Sequence, residues 1–195
     1  MATSPDTRAR PAGDAIKILF RFVPREGWLP YSVEGLWATA LSADTARVDN
    51  VPFLQNGVAQ GDVVRFETDA DGVHWALGRV EASGHCTVRV LPVPDGPLGP
   101  SAAAVHAQFA RFGLGGEGFS ADFPFVAFDV PDDADFAGIK QLLHAGTADG
   151  WWHFETGCVT DRWNEAWTRR RPPAGAGRRR GRGRDRDDDE RARPV

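Results

Sequence analysis

Residues with the chemistry for acid–base catalysis lie in the first half of the chain: Glu34, Asp49, Asn50, Asp62, Ser83 and His85. A carboxylate next to His85 would orient the imidazole and raise its basicity, so Glu34 or Asp62 would turn His85 into a general base. Ser83 or a water molecule would then be the nucleophile. The catalytic candidates are therefore His85, Glu34 and Asp62.

The same region supports a second interpretation, in which these residues bind a ligand without reacting with it. The predicted ligand-binding residues are Glu34, Trp37, Asn50, Phe53, Asp62, Ser83 and His85. If the strands pair in sequence order, residues 50–53 and 61–62 lie at one edge, and residues 83–85 connect two domains, where ligand sites are common. A purely structural role is also open, because Asn, Asp and Ser often satisfy backbone groups in loops.

The cysteines and histidines do not predict a metal site or a thiol nucleophile. Cys86 follows His85 directly, and adjacent residues on a strand point to opposite faces, so the two side chains cannot form a hydrogen bond. We expect Cys86 and Cys158 to be small buried apolar residues. The five histidines lack the spacing of a helical metal site, and no cofactor motif occurs. We expect no metal and no cofactor.

The elements that position these residues begin with a run of short strands. Apolar and polar residues alternate with a period of two in residues 16–23, 33–41, 47–53, 63–68 and 73–81. Asp71-Gly72 is a favoured two-residue hairpin turn between the last two segments. Five short strands without a helical period predict a small antiparallel β-barrel over residues 14–83.

Beyond Gly84 the pattern alternates strands with helices. A strand from Cys86 precedes a helix that Ser101 caps and that ends at Phe112. A hairpin over residues 117–130 is followed by a second helix, capped by Asp132 or Asp133 and ended by Gly146, and then by a strand over residues 151–158. The order strand, helix, strand, strand, helix, strand predicts a ferredoxin-like split βαβ domain over residues 84–159 and an α+β fold class.

Both ends of the chain have a different composition. Residues 1–13 lack periodicity and predict a disordered leader. Thr160 begins a C-terminal helix over residues 160–170, in which Trp163 and Trp167 are four residues apart. Residues 171–195 are rich in Arg, Gly and Asp and predict a disordered tail. No segment has the roughly 18 consecutive apolar residues of a membrane span, so we expect a cytoplasmic protein without membrane contact.

Arginine is concentrated towards the C-terminus, where residues 169–184 hold eight arginines and no acidic residue. Guanidinium groups bind phosphates, so the tail predicts contact with RNA or another polyanion. The residues predicted for this role are Arg178, Arg179, Arg180, Arg182 and Arg184. An alternative stays open, because residues 1–168 carry 22 acidic against 12 basic residues, and the tail can equally lie on this acidic body.

Four short motifs together resemble one bacterial family. They are Glu34-x-x-Trp37, Asn50-x-Pro52-Phe53, Gly61-Asp62-Val63-Val64 and Ser83-Gly84-His85, the last placed before an apolar strand. The combination resembles domain of unknown function family 4265 over about residues 15–158. The resemblance implies a small stand-alone bacterial protein, and it brings no activity, substrate or catalytic residue.

These observations favour a non-catalytic function. We expect a binding or adaptor module that offers the barrel and the cleft between the two domains to a protein or a small ligand. One alternative is a small hydrolase or transferase with His85 as general base. Another is a module that its Arg/Gly tail tethers to RNA. The enzyme question is open, with binding favoured.

Overall fold

A computed structural model describes residues 15–24, 30–120 and 122–168 of the chain. The predicted leader and the predicted tail, including the tail arginines, lie outside the described residues. None of the helices in the described part of the chain has the length and apolar character needed to cross a membrane.

The first half of the chain forms a closed five-stranded barrel. Its strands are β1 (Ala15–Arg21), β2 (Val33–Ala40), β3 (Thr45–Val48), β4 (Val63–Thr68) and β5 (His74–Glu81). Consecutive strands are antiparallel, and β1 closes the barrel by pairing with β5 in parallel. The period of two directs Ile18, Phe20 and Leu36 into the barrel interior. The predicted barrel is confirmed, but the prediction that it is antiparallel is wrong for the β1–β5 pair, which closes it in parallel because five strands cannot alternate in direction around a closed ring.

One predicted strand of the barrel is shorter than expected. Residues 47–53 were expected to be a strand, but β3 ends at Val48 and residues 49–62 form a long loop. The cause is visible at Asn50, whose side-chain oxygen accepts the backbone N–H of Trp37 at 2.7 Å. A side chain thus takes the place of the next backbone partner, and the chain leaves the sheet.

The second half of the chain forms a four-stranded antiparallel sheet with helices. Strands β6 (Cys86–Pro92), β7 (Gly115–Gly118), β8 (Val126–Val130) and β9 (Trp152–Cys158) lie in the order β7-β8-β6-β9. Helices α1 (Ala102–Phe109) and α2 (Phe136–Ala148) connect them, and α3 (Asp161–Thr168) follows β9. With the barrel, this sheet gives the predicted α+β class.

Capping residues begin the helices of this half. Ser101 accepts the backbone N–H of Ala104 at 3.1 Å and so caps α1 as predicted. For α2 the predicted cap was wrong, because Asp135, and not Asp132 or Asp133, accepts the N–H of Gly138 at 3.0 Å. Three candidate aspartates stand within four positions, and only the helix register distinguishes them.

Gly146 was expected to end α2, yet it lies inside the helix, which continues to Ala148. A β-carbon at this position would be 2.2 Å from a ring atom of Trp152. The glycine therefore allows the indole of the buried Trp152 to pack against the helix backbone, where its Nε1 donates to the carbonyl of Leu143 at 3.0 Å. Close packing, and not helix termination, explains this residue.

The sheet has a different partner on each face. On one face Val88, Val90 and Phe128 pack against the helices in the largest apolar core. On the other face Ala127 and the nearby Phe125 pack against the 49–62 loop of the barrel. The junction between the barrel and the sheet is therefore made by this loop, which carries several of the predicted site residues.

Candidate functional site

Glu34 holds the 49–62 loop against the barrel. Its side chain on β2 is buried, with 2% exposure. One carboxylate oxygen accepts the backbone N–H of Phe53 at 2.7 Å, and the other accepts those of Leu54 at 2.9 Å and Gln55 at 2.6 Å. Three charge-assisted hydrogen bonds use the acceptor capacity of the carboxylate for the loop backbone.

Asp62 closes the other end of the same loop and is buried to the same degree. One of its oxygens lies 2.7 Å from the backbone N of Ser83 and 2.9 Å from the Ser83 hydroxyl. The other accepts the N–H of Ala59 at 2.9 Å and pairs with Arg79 at 3.2 Å. Gly61 has φ +83°, and a β-carbon there would be 3.0 Å from Ser83, so the two chain segments touch.

His85 pairs with a carboxylate that the sequence did not single out. Its Nδ1 lies 2.9 Å and 3.1 Å from the two carboxylate oxygens of Asp129 on β8. Burial raises the pKa of Asp129, while the hydrogen bond from His85 acts in the opposite direction. The His85 side chain is 30% exposed, so solvent reaches the pair. The backbone N–H of His85 donates to the Ser83 hydroxyl at 3.2 Å.

The three catalytic candidates thus have three different sets of partners. Glu34 binds the amides of the loop, Asp62 binds Ser83, Ala59 and Arg79, and the His85 imidazole binds Asp129. Asp62 and His85 are linked only indirectly, because both contact Ser83. The arrangement gives His85 an orienting carboxylate, Asp129, that differs from the two predicted ones.

Trp37 and Asn50 form a pair with unsatisfied hydrogen-bond donors. The Asn50 side-chain oxygen accepts the N–H of Trp37, whereas the Asn50 Nδ2 and the Trp37 Nε1 are buried and have no hydrogen-bond partner among the residues that the structure describes. Nearby, Asp49 accepts the hydroxyl of Thr39 at 2.9 Å. Buried polar donors are normally paired, so these two atoms depart from the usual pattern.

Arg89 was missed by the sequence analysis and is fully buried on β6. Its guanidinium donates to the Pro52 carbonyl at 3.2 Å, to the Asn56 side chain at 2.8 Å and to Glu155 at 2.8 Å, and it also reaches the Gln55 carbonyl. Gly157 makes room for it, since a β-carbon there would lie 2.6 Å from the guanidinium. The signal in the sequence that could have identified Arg89 is a single charged residue within an otherwise apolar strand.

The outer surface of the barrel carries one tryptophan on each side of β1, Trp37 on β2 and Trp75 on β5. Lys17 stands opposite Trp37, and Leu19 stands between Gly35 and Trp75. The Lys17 ammonium lies 5.1 Å from the Trp37 ring centre, and the Arg21 guanidinium lies 3.5 Å from that of Trp75. We call these six residues, Lys17, Leu19, Arg21, Gly35, Trp37 and Trp75, the tryptophan wall.

Three cavities are lined by described residues away from the catalytic candidates. The smallest, about 200 Å³, is lined by Arg89, Leu91, Phe125, His153, Phe154 and Glu155. The other two, about 540 and 520 Å³, lie at the start of α2. None of these three cavities is lined by Glu34, Asp62 or His85.

Within the described ranges, no group of three or more His, Cys, Asp or Glu side chains is arranged to hold a metal ion. Cys86 and Cys158 are free and buried, and burial raises the pKa of both thiols. Arg79 donates to the Cys158 sulfur at 3.3 Å. The predicted polyanion contacts, Arg178 to Arg184, lie outside the described residues and stay a prediction.

Comparison with known proteins supports the family resemblance. The model of the DUF4265 family, a domain of unknown function, matches residues 34–154. A crystal structure of a hypothetical protein from Neisseria gonorrhoeae is similar, with a TM-score of 0.61 and 14% sequence identity. The match covers 73% of this chain and 94% of that chain, and it shows a shared fold. A search of curated proteins found no match.

Proposed function

Because the chain belongs to the DUF4265 family, whose description names no activity, we propose its function from the geometry: a binding module that holds an acidic protein segment on the tryptophan wall of its barrel. The proposal makes the barrel the ligand-binding part of the molecule. It assigns a supporting role to the junction beneath the 49–62 loop.

The tryptophan wall carries this proposal. Trp37 and Trp75 are half-buried, Arg21 is exposed, and Leu19 pairs with Gly35 on one side and with Trp75 on the other. Tryptophan and arginine dominate the binding energy of protein interfaces, because they bury a large area and form directional contacts. Lys17 and Arg21 over the rings favour a partner that supplies oxygen acceptors with negative charge.

The partners of the buried carboxylates support binding over catalysis. A general base needs a carboxylate or imidazole that can accept a proton from a substrate or from water. Glu34 already accepts three backbone N–H groups, and Asp62 is held by Ser83, Ala59 and Arg79. Both side chains therefore stabilise the loop, and neither is placed to assist His85.

One observation favours a second candidate, a hydrolase or transferase. The partly exposed imidazole of His85 is oriented by the carboxylate of Asp129, 2.9 Å from its Nδ1, which is the arrangement of a histidine general base. Hydrolysis of chromogenic esters and phosphate esters by the full chain tests it. Loss of turnover in both His85→Gln and Asp129→Asn variants would support catalysis, and absence of turnover in the parent protein would contradict it.

For the second half of the chain, we propose the ferredoxin-like assignment over residues 84–159. The strand order β7-β8-β6-β9, the antiparallel pairing of every neighbour and the packing of α1 and α2 in one core support it. In this proposal the second half is a scaffold that supports the barrel.

Selection of peptides from a random display library on the immobilised full chain tests the binding proposal. We expect acidic peptides with apolar residues to be enriched. Their affinity, measured by fluorescence polarisation of the synthetic peptides, falls about tenfold or more in a Lys17→Glu/Arg21→Glu double variant. A Trp75→Ala variant loses affinity as well, because the aromatic contact is removed.

The second half of the chain offers a matched control for this experiment. Arg111 after α1 and Arg162 on α3 are exposed and lie beside the start of α2, outside the barrel, so Arg111→Glu/Arg162→Glu makes the same change in net charge. We expect this control to bind the peptides like the parent protein. Equal loss in both double variants, a preference for basic peptides, or no enrichment at all would overturn the proposal.

A further inference from the structure

A groove crosses the start of α2, formed by the two larger cavities. The first cavity lies between α2 and α3, where Phe136, Ala137 and Ala166 give an apolar lining. The second lies beside the 3-10 turn after α1, where Phe112 and Leu114 are apolar. The two cavities share the lining residues Ala134 and Asp135 and are therefore adjacent, and we call the surface that they line together the α2 groove.

The α2 groove already binds guanidinium groups on its aromatic rings. The guanidinium of Arg162 lies 5.3 Å from the ring centre of Phe136, and that of Arg111 lies 4.8 Å from the ring centre of Phe112. Arg162 also donates to the carbonyl of Asp132. Aromatic faces and carbonyl oxygens are the partners that arginine prefers in partly buried sites.

Carboxylates line the same groove. Asp133 and Asp135 stand at the start of α2, and Glu165 faces the groove from α3. A groove with aromatic rings and three carboxylates is complementary to a segment rich in arginine. The chemistry of the groove thus selects a guanidinium-bearing partner over an acidic one.

The chain itself supplies such a segment next to the groove. Helix α3 ends at Thr168, two positions after the groove residue Ala166, and the following residues are Arg169, Arg170 and Arg171. Three residues span at most about 11 Å of extended chain.

We propose that the α2 groove is the docking site of the chain's own Arg169-Arg170-Arg171 segment, whose guanidinium groups pair with Asp133, Asp135 and Glu165. The segment is tethered beside the groove, so its effective concentration is high and weak individual ion pairs suffice. The second arginine cluster, Arg178 to Arg184, lies beyond the prolines and stays available to a polyanion.

Hydrogen exchange of the full chain, read by mass spectrometry, tests this docking. An Arg169→Glu/Arg170→Glu/Arg171→Glu triple variant removes the contact, so exchange in peptides covering residues 133–141 and 162–168 accelerates by about threefold or more. Raised salt has the same effect on the parent protein, because it screens ion pairs at the surface. The matched control, Arg178→Glu/Arg179→Glu/Arg180→Glu, makes the same charge change and leaves exchange in both peptides as in the parent.

A charge swap makes the result independent of folding defects. Asp133→Arg/Glu165→Arg introduced into the Arg169–171 triple variant restores the slow exchange if the segment docks in the groove. Three results would overturn the proposal. The first is exchange at the parental rate in the Arg169–171 triple variant, and the second is an equal acceleration in the Arg178–180 triple variant. The third is a charge-swapped protein that is folded but does not recover the slow exchange. If oligouridylate removes the protection both in the parent protein and in the Arg178–180 triple variant, which keeps Arg169 to Arg171, these three arginines would be assigned to RNA instead.

Discussion

The junction loop and the tryptophan wall use polar residues in opposite ways. At the junction, Glu34 and Asp62 are buried and surrounded by backbone donors. On the wall, the ammonium of Lys17 lies over the ring of Trp37, and Arg21 is exposed over Trp75. The carboxylates that suggested catalysis therefore hold the junction loop, whereas our proposal assigns binding to the two tryptophans. The number of partners a side chain already has, and not its chemical type, separates the two roles.

The largest expected effect comes from Glu34→Ala at the junction. It leaves three backbone N–H groups of the loop without their acceptor, so the free energy of unfolding falls by on the order of 4 kcal/mol. Urea denaturation followed by tryptophan fluorescence measures it. Glu67→Ala, at an exposed position on β4, is the control and changes stability little. Equal effects of the two substitutions would break the distinction between junction and surface.

A smaller loss of stability is expected from Gly157→Ala, because the added β-carbon would clash with the guanidinium of the buried Arg89. We expect a cost of about 2 kcal/mol. Gly118→Ala on β7 meets no atom within 4 Å and serves as the control. In an Arg89→Met background the cost of Gly157→Ala decreases, since the guanidinium is gone. A double-mutant cycle measures this coupling, and additivity would show that Gly157 does not serve Arg89.

Asp129 extends the comparison to a buried carboxylate that pairs with a histidine and not with the loop backbone, and the pH dependence of stability tests it. Burial raises its pKa above the 3.8 of a free aspartate, so the folded state binds this proton more tightly than the unfolded state. The contribution of Asp129 to stability therefore falls as the pH rises from about 3.8 through the raised pKa. The stability difference between the parent protein and Asp129→Asn declines over this range. A difference that grows with pH would show that the carboxylate is favoured in its charged form.

The smallest effect on stability is expected on the wall. Arg21→Ala removes a cation–π contact at an exposed position, which is worth less than about 1 kcal/mol. Thermal unfolding should give nearly parental midpoints, while binding of the selected acidic peptides weakens. A large loss of stability would mean that the wall is structural and would remove the contrast with the junction.

Local patterns predicted much of the fold. The period of two placed Ile18 and Leu36 inside the barrel, and Ser101 and Thr160 were correctly expected to begin α1 and α3, where Thr160 accepts the N–H of Trp163 at 3.3 Å. The wrong predictions, at residues 49–53, at Asp132 or Asp133 and at Gly146, share one cause. Each depended on a partner distant in sequence or on helix register, and neither is encoded in a short window.

The family motifs are explained by pairing in space. Glu34 binds the backbone of Phe53, Trp37 binds Asn50, and Asp62 binds Ser83. The sequence identified these residues as a set, yet it did not indicate which ones pair. Asp129 and Arg89 escaped notice because each stands alone within an apolar strand, and only the fold brings a histidine to one and four acceptor groups to the other.

Taken alone, the sequence determined the alternating strands of a barrel, the helical stripes that follow and the list of polar residues near the junction, because these properties depend on neighbours within a few positions. Only the tertiary structure decided that Glu34 and Asp62 serve the loop backbone, that His85 meets Asp129, and that Trp37 and Trp75 share one wall. Such choices depend on burial and on partners separated by tens of residues, and the chain acquires both only when it folds.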